Sequence, residues 1–185
     1  MLRGGGIVIM RSDTVYGVHG VAPATGTRLT ALKGRPDGKP LLVLLADGSS
    51  AEKVTGTQPP PALAALWPGP LTIVLPVADP APTPIAAGAA SLGVRVPADP
   101  ALRAIVAAVG APLYSTSANR AGEPPLGDPA ALRAVFGSSV ELIVDDGPVT
   151  AAAPSTIVDA TVSPARILRA GAVAVTAAEL AGTGR

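Results

Sequence analysis

The segment Lys33-Gly34-Arg35-Pro36-Asp37-Gly38-Lys39-Pro40 holds two of the chain's three lysines, with an arginine between them. Cations at that density suit a polyanion such as a nucleotide triphosphate. Pro36 disfavours helical backbone at Arg35, so the chain around Gly34 and Arg35 reads as extended, with Lys33 and Arg35 pointing the same way. Lys39 would return after the Asp37-Gly38 turn. The other reading of Lys33 and Arg35 is a pair of cations that complement a helix C-terminus. A second polar group lies in Pro112–Asn119. Its period-2 register puts Ser115, Ser117 and Asn119 on one side and Tyr114, Thr116 and Ala118 on the other. Hydroxyls and an amide at a strand exit are neutral partners for phosphate or carboxylate oxygens; the competing reading is a solvated edge strand. Ser155 and Arg169 repeat the theme at the ends of later strands, and Ser12-Asp13-Thr14-Val15-Tyr16-Gly17 reads either as a ligand-facing loop or as a turn. Asp145 and Asp146 can be read as helping a nucleotide-bound magnesium or as a turn. His19, the single histidine, is read as structural and given no role.

The elements that would carry these residues are strands alternating with helices. Apolar runs predict strands at Ile7–Met10, Leu41–Ala46, Leu71–Val77, Gly93–Val96, Glu141–Val144, Thr156–Val158 and Arg166–Leu168, with Leu41–Ala46 covered on both faces. Short helices are predicted at Thr27–Leu32 and Pro59–Leu66. Asp99-Pro100 opens the clearest helix, running through Val109 to a stop at Gly110, and Asp128-Pro129 to Gly137 repeats that grammar. Thr176-Ala177-Ala178-Glu179 is a capping box for a last short helix, and Ala78–Ala90 is read as a surface excursion. The pattern predicts an α/β (α+β) fold: one twisted mixed sheet flanked by helices around an open cleft. Residues 1–175 are read as the catalytic domain and 176–185 as a short C-terminal helix and tail.

Composition narrows the chemistry. A length of 185 residues supports one domain. The absence of cysteine removes thiolate chemistry, and one histidine leaves no ligand set for zinc. A net charge of +1 means that any anion site comes from local clustering. No apolar run suits a signal peptide or a membrane span, so the reading is a cytoplasmic protein.

The segment K-G-R-P-x-x-K-P, with S-D-T-V-Y-G before it and W-P-G-P-L-T, G-V-R-V-P, S-T-S-A-N, P-S-T-I-V-D and I-L-R-A-G after it, resembles the YrdC-like family, the threonylcarbamoyl-AMP synthases. The match runs from about Gly5 to Gly171. The resemblance implies a YrdC/RibB-like fold and an enzyme that makes threonylcarbamoyl-AMP and pyrophosphate from ATP, L-threonine and bicarbonate, for threonylcarbamoyladenosine in tRNA. It implies catalytic roles for Lys33, Arg35, Ser117 and Asn119, ATP contacts from Arg35, Lys39, Ser91, Ser117 and Arg169, and threonine contacts from Thr14, Arg95, Ser115 and Ser155. Magnesium would arrive with ATP, with no metal held by the protein itself. Downstream tRNA threonylcarbamoyl transferase proteins, and tRNA or double-stranded RNA at the basic cleft, are the implied partners. Three positions depart from the family pattern: Arg11-Ser12 stands for Pro-Thr, Leu44 for a threonine-contacting histidine, and Pro125 for a serine near ATP. The helix that generally precedes the first motif and the C-terminal extension of longer members are not found. Alternatives at this point are a carbamoyl-adenylating paralogue, a module that binds RNA or nucleotide without chemistry, and a degenerate paralogue without turnover.

Overall fold

Alternation along the strands gives the sheet two unlike faces, and that difference creates the site. The computed structural model describes residues 1–34, 41–86, 88–149 and 153–182. Its strands are β1 (Val8–Arg11), β2 (Tyr16–Val21), β3 (Leu42–Leu44), β4 (Leu71–Pro76), β5 (Ser91–Arg95), β6 (Leu113–Ser117), β7 (Leu142–Ile143), β8 (Thr156–Asp159) and β9 (Arg166–Arg169). The helices are α1 (Gly26–Lys33), α2 (Ser50–Thr55), α3 (Pro61–Ala64), α4 (Pro100–Val109), α5 (Pro129–Phe136) and α6 (Ala177–Ala181), and a 3₁₀ turn at Leu2–Gly4 precedes β1. One mixed sheet orders the strands β7-β1-β2-β6-β3-β5-β4-β8-β9, parallel at β1/β7, β3/β5 and β4/β8 and antiparallel elsewhere. The expectation of a mixed sheet flanked by helices holds. Strand β6 lies between β2 and β3, so the edge-strand reading of its polar residues is overturned.

The first face is mainly apolar. Ile9, Tyr16 and Val18 pack with Leu29 of α1 and with Leu132 and Phe136 of α5. Val43, Ile73, Val94 and Val158 pack with Val54 of α2 and Leu63 of α3. The second face is apolar only where α4 covers it, with Val8, Met10, Leu44 and Leu113 against Leu102 and Val106. Beyond α4 that same face carries Gly17, Ser115, Ser117, Leu42, Gly93 and Arg95, because cross-strand partners share a side: Met10 faces Gly17, Gly17 faces Ser117, and Leu44 faces both Leu113 and Arg95.

The helix signals act as expected. Asp99 accepts from Leu102 N at 2.9 Å and Gly110 closes α4 in the left-handed region, and Asp128 accepts from Ala130 N at 3.1 Å. The capping box of α6 forms, and Leu180 of that helix packs on the larger core cluster, so the expected tail is joined to the domain. The helix expected at Pro59–Leu66 is a single turn, α3, entered from Pro60. Strand β2 and helix α2 were not expected. Two glycines and a histidine hide the apolar alternation of β2, and α2 is only six residues long. No helix among the described residues is long and apolar enough to cross a membrane.

Candidate active site

The loop between β1 and β2 is built by Ser12. Its Oγ accepts from Thr14 N at 3.2 Å, donates to Val15 O at 2.9 Å and lies 3.0 Å from Thr14 Oγ1. This serine-centred turn presents Thr14 to the second face of the sheet. Across from it, at the end of β5, Arg95 is buried and fully engaged along one edge. Its Nη2 donates to Asp13 Oδ1 at 2.6 Å, its Nε to Gly69 O at 3.1 Å and its Nη1 to Thr14 Oγ1 at 3.3 Å.

The opposite wall comes from β8 and β9. Arg169 donates from Nε and Nη2 to Ser155 O at 3.2 and 2.7 Å, and from Nη2 to Ser155 Oγ at 3.2 Å. Ser155 Oγ in turn lies 3.0 Å from Thr72 Oγ1. The chain turns back tightly here: a Cβ on Gly171 would meet Pro154 O at 2.2 Å and Thr156 N at 2.6 Å, so only glycine lets this strap close on Ser155. Partial burial, and then the nearby charge of Arg95, lowers the pKa of Arg169 from its ordinary value. Arg169 therefore feels the charge of Arg95.

Both arginines line a cleft of about 570 Å³, with Thr14, Ser91, Ser115, Ser117 and Ser155 and with apolar groups such as Leu42, Val74, Ile157 and Leu168. Seven positions expected to bind ATP or threonine thus share one cavity, although they come from five parts of the chain. Arg35 and Lys39 lie outside the described residues. Lys33 and Asn119 lie behind the wall. The Lys33 ammonium, 2% exposed, donates to Ser117 O at 2.8 Å, Asn119 O at 2.7 Å and Asn119 Oδ1 at 2.5 Å. Ser117 Oγ donates to the same Asn119 Oδ1 at 2.6 Å, so Lys33 reaches the cleft through Asn119 and Ser117. The extended backbone expected at Gly34 is not found. Gly34 is a left-handed cap with φ 58°, which ends α1 and turns Lys33 inward.

Two lining or supporting groups were missed. Asp13 was quoted within its motif without a role, and Thr72 ends the run W-P-G-P-L-T; their contacts with predicted residues become visible only once the β1–β2 loop meets β5, bringing Asp13 to Arg95, and β4 pairs with β8, bringing Thr72 to Ser155. Leu44 does not line the cleft but packs with Leu102 and Val106 under α4. Asp145 follows the turn reading: it pairs with Arg133 at 2.9 Å and accepts from Gly147 N at 3.1 Å.

His19 stands where the cleft floor meets the α4 core, and it is completely buried. Its ring fills the space over Gly17, where a Cβ would lie 2.6 Å from Nε2. Nε2 donates to Met10 O at 3.4 Å, which leaves Nδ1 as a buried acceptor without a partner. Burial, only partly offset by that contact and reinforced by Arg95, lowers its pKa from 6.5 to about 4. The unfolded chain therefore takes up this proton first. Stability is complete above pH 6.5, falls as the pH drops towards 4, and loses roughly 3 kcal/mol in all from this group. Denaturant melts between pH 7 and 4 should show that slope in the wild type and a flatter one in His19→Asn; equal slopes would contradict it.

Comparison with known proteins agrees with this geometry. The Sua5/YciO/YrdC family, described as telomere recombination, matches residues 1–171. A threonylcarbamoyl-AMP synthase of Alkalilimnicola ehrlichii is 39% identical over 166 residues, covering 86% of this chain and 87% of the relative. P. abyssi Sua5 complexed with L-threonine superposes with a TM-score of 0.82 at 30% identity over 92% of this chain, which spans 52% of that longer chain. E. coli YciO shares the fold, with a TM-score of 0.81 at 23% identity over 92% of this chain and 85% of its own. A family match over residues 1–171, together with a relative 39% identical over most of both chains, makes the chain a member of the Sua5/YciO/YrdC family.

Proposed function

We propose that this chain is a threonylcarbamoyl-AMP synthase, joining L-threonine, bicarbonate and ATP and releasing pyrophosphate. The observation that carries the reading is a single cleft whose lining brings Thr14, Arg95, Ser115, Ser155 and Arg169 together with apolar groups such as Leu42, Ile157 and Leu168. Threonine's carboxylate suits the Arg95 end, the phosphates suit Arg169 and the polar exit of β6, and the adenine suits Leu42, Ile157 and Leu168. The amine adds to bicarbonate with loss of water, and the carbamate oxygen attacks the α-phosphorus while pyrophosphate leaves. Every polar group named is a hydrogen-bond donor or a cation, so catalysis rests on positioning and on stabilising charge that grows on phosphate oxygens.

Among the described residues the cleft walls offer hydroxyls and arginines but no carboxylate, and Asp13 beside Arg95 has one oxygen committed to that arginine. That donor set does not fit a protein-held magnesium, so the ion belongs to this reading only as a companion of the ATP phosphates. The reading extends to tRNA carrying the threonylcarbamoyl group, to downstream transferase proteins that place it, to RNA contact at the cleft mouth, and to the cytoplasm where tRNA is modified.

The test is pyrophosphate release from ATP and magnesium, with and without threonine and bicarbonate. Release that requires both is the expected result. Folded, ATP-binding protein that releases none under any combination would overturn the reading.

A further inference from the structure

Asp13 is the unusual support of the cleft: it pairs with Arg95 without itself lining the cavity. Its Oδ1 is held by Arg95 at 2.6 Å, with the two side chains only 12% and 5% exposed, yet its Oδ2 is buried without a hydrogen-bond partner. A half-satisfied buried carboxylate is costly to fold around, and removing the charge opposite it would be costlier still. Its chemical effect is plain from its neighbours. The charged residues that line the described cleft are Arg95 and Arg169. Asp13 cancels the charge of Arg95, while the contacts of Arg169 on its own wall are the neutral carbonyl and hydroxyl of Ser155. His19, on the same sheet face, is neutral at pH 7 and adds nothing to this balance.

A cleft divided in this way sorts its ligands by charge. An arginine already matched by a carboxylate still offers N–H groups, but it attracts an anion well only if the anion brings a cation of its own. An α-amino acid does so, with its carboxylate towards Arg95 and its amine towards the negative side of the pair. A phosphate or a simple hydroxy acid does not. We propose that Asp13 is a positioning and specificity-determining residue: by neutralising Arg95 it makes that end of the cleft select a zwitterionic amino acid and leaves the polyanion to Arg169. This rests on the reading of the Arg95 end as the threonine subsite and deepens it. Asp13 acts through Arg95, whose guanidinium it also holds in register with Thr14 and Gly69.

Calorimetric titration of the full chain tests it, using L-threonine and the dihydroxy acid in which a hydroxyl replaces threonine's amine. The wild type is expected to prefer threonine by about tenfold or more, the scale of one buried charge contact. Asp13→Asn, nearly identical in shape, should bring the two ligands within about threefold of each other, whereas a merely structural defect weakens both alike. Asp13→Glu, which keeps the charge, should recover part of the preference. A wild type that binds both ligands equally overturns the proposal without any variant, and so does an Asp13→Asn protein that keeps the preference. A wild type that binds neither overturns the threonine reading, and the proposal with it.

Discussion

Lys33→Ala is expected to lower turnover roughly 100-fold or more and to lower stability by about 2–4 kcal/mol at the same time. A lysine in a solvated cleft would lose only about 0.5 kcal/mol or less, and the burial of Lys33 makes the difference. Lys33 donates to three oxygens of Ser117 and Asn119 from a buried position, and its removal takes the ammonium donor from Asn119 O and leaves Ser117 O and Asn119 Oδ1 with only the Asn119 N and Ser117 Oγ donors, where water cannot easily replace it. The same bonds tie the end of α1 to the exit of β6, so part of the cleft wall loses its support. If Lys33 acts on the reaction through Ser117, a double-mutant cycle with Ser117→Ala shows it. Ser117→Ala alone should reduce activity with little change in stability, and the double variant should be little worse than Lys33→Ala. Activities are compared at a temperature where each variant is folded, established by thermal melts. Additive losses in turnover would instead mean that Lys33 and Ser117 contribute independently.

The inward turn of Lys33 shows why some of this site was legible in the sequence and some was not. Residue types at strand exits carry across directly, because a strand's alternation fixes which side chains share a face. Ser115 and Ser117 were assigned to one side by counting, and both line the cleft. Capped helices were equally readable: Asp99-Pro100 and Asp128-Pro129 name the start of α4 and α5 because their side chains and fixed φ do the capping. Lys33 was read wrongly in its local geometry because Gly34 could take either backbone conformation, and the left-handed one was chosen by closure of α1. Asp13 and His19 were unreadable for a different reason. Their significance lies in Arg95 and Met10, which reach them only after β5, β2 and β1 are brought together. Burial of a charged or titratable group is a property of the pairing, and no local pattern encodes it. Strand β2 was hidden by the residues that make it useful, since Gly17 is small so that His19 and the cleft can both occupy its face.

Arg169→Ala should separate the two ends of the cleft. Its Nε and Nη2 are spent on Ser155, which leaves Nη1 as the donor available to a ligand in the cleft that Arg169 lines. Loss of this cation is expected to raise the half-saturating ATP concentration at least about tenfold and to reduce turnover by a further factor of about ten, since charge that builds on the phosphates is then less well matched. Threonine binding in the absence of ATP should change by no more than about threefold, because Ser155 keeps its bond to Thr72 when Arg169 is gone. Arg169→Lys should rescue little: one ammonium cannot hold Ser155 along a guanidinium edge and also present a donor to phosphate. The side chain is substantially exposed, so the expected stability change is small, within about 0.5 kcal/mol, and a melting curve distinguishes a binding defect from unfolding. Equal weakening of ATP and threonine would mean that the strap from Arg169 to Gly171 organises the whole cleft and that no separate polyanion end exists. A selective ATP defect in Arg169→Ala, set beside a selective loss of amine preference in Asp13→Asn, would establish that one sheet face holds a neutralised subsite and a cationic one, separated by which arginine has a carboxylate and which does not.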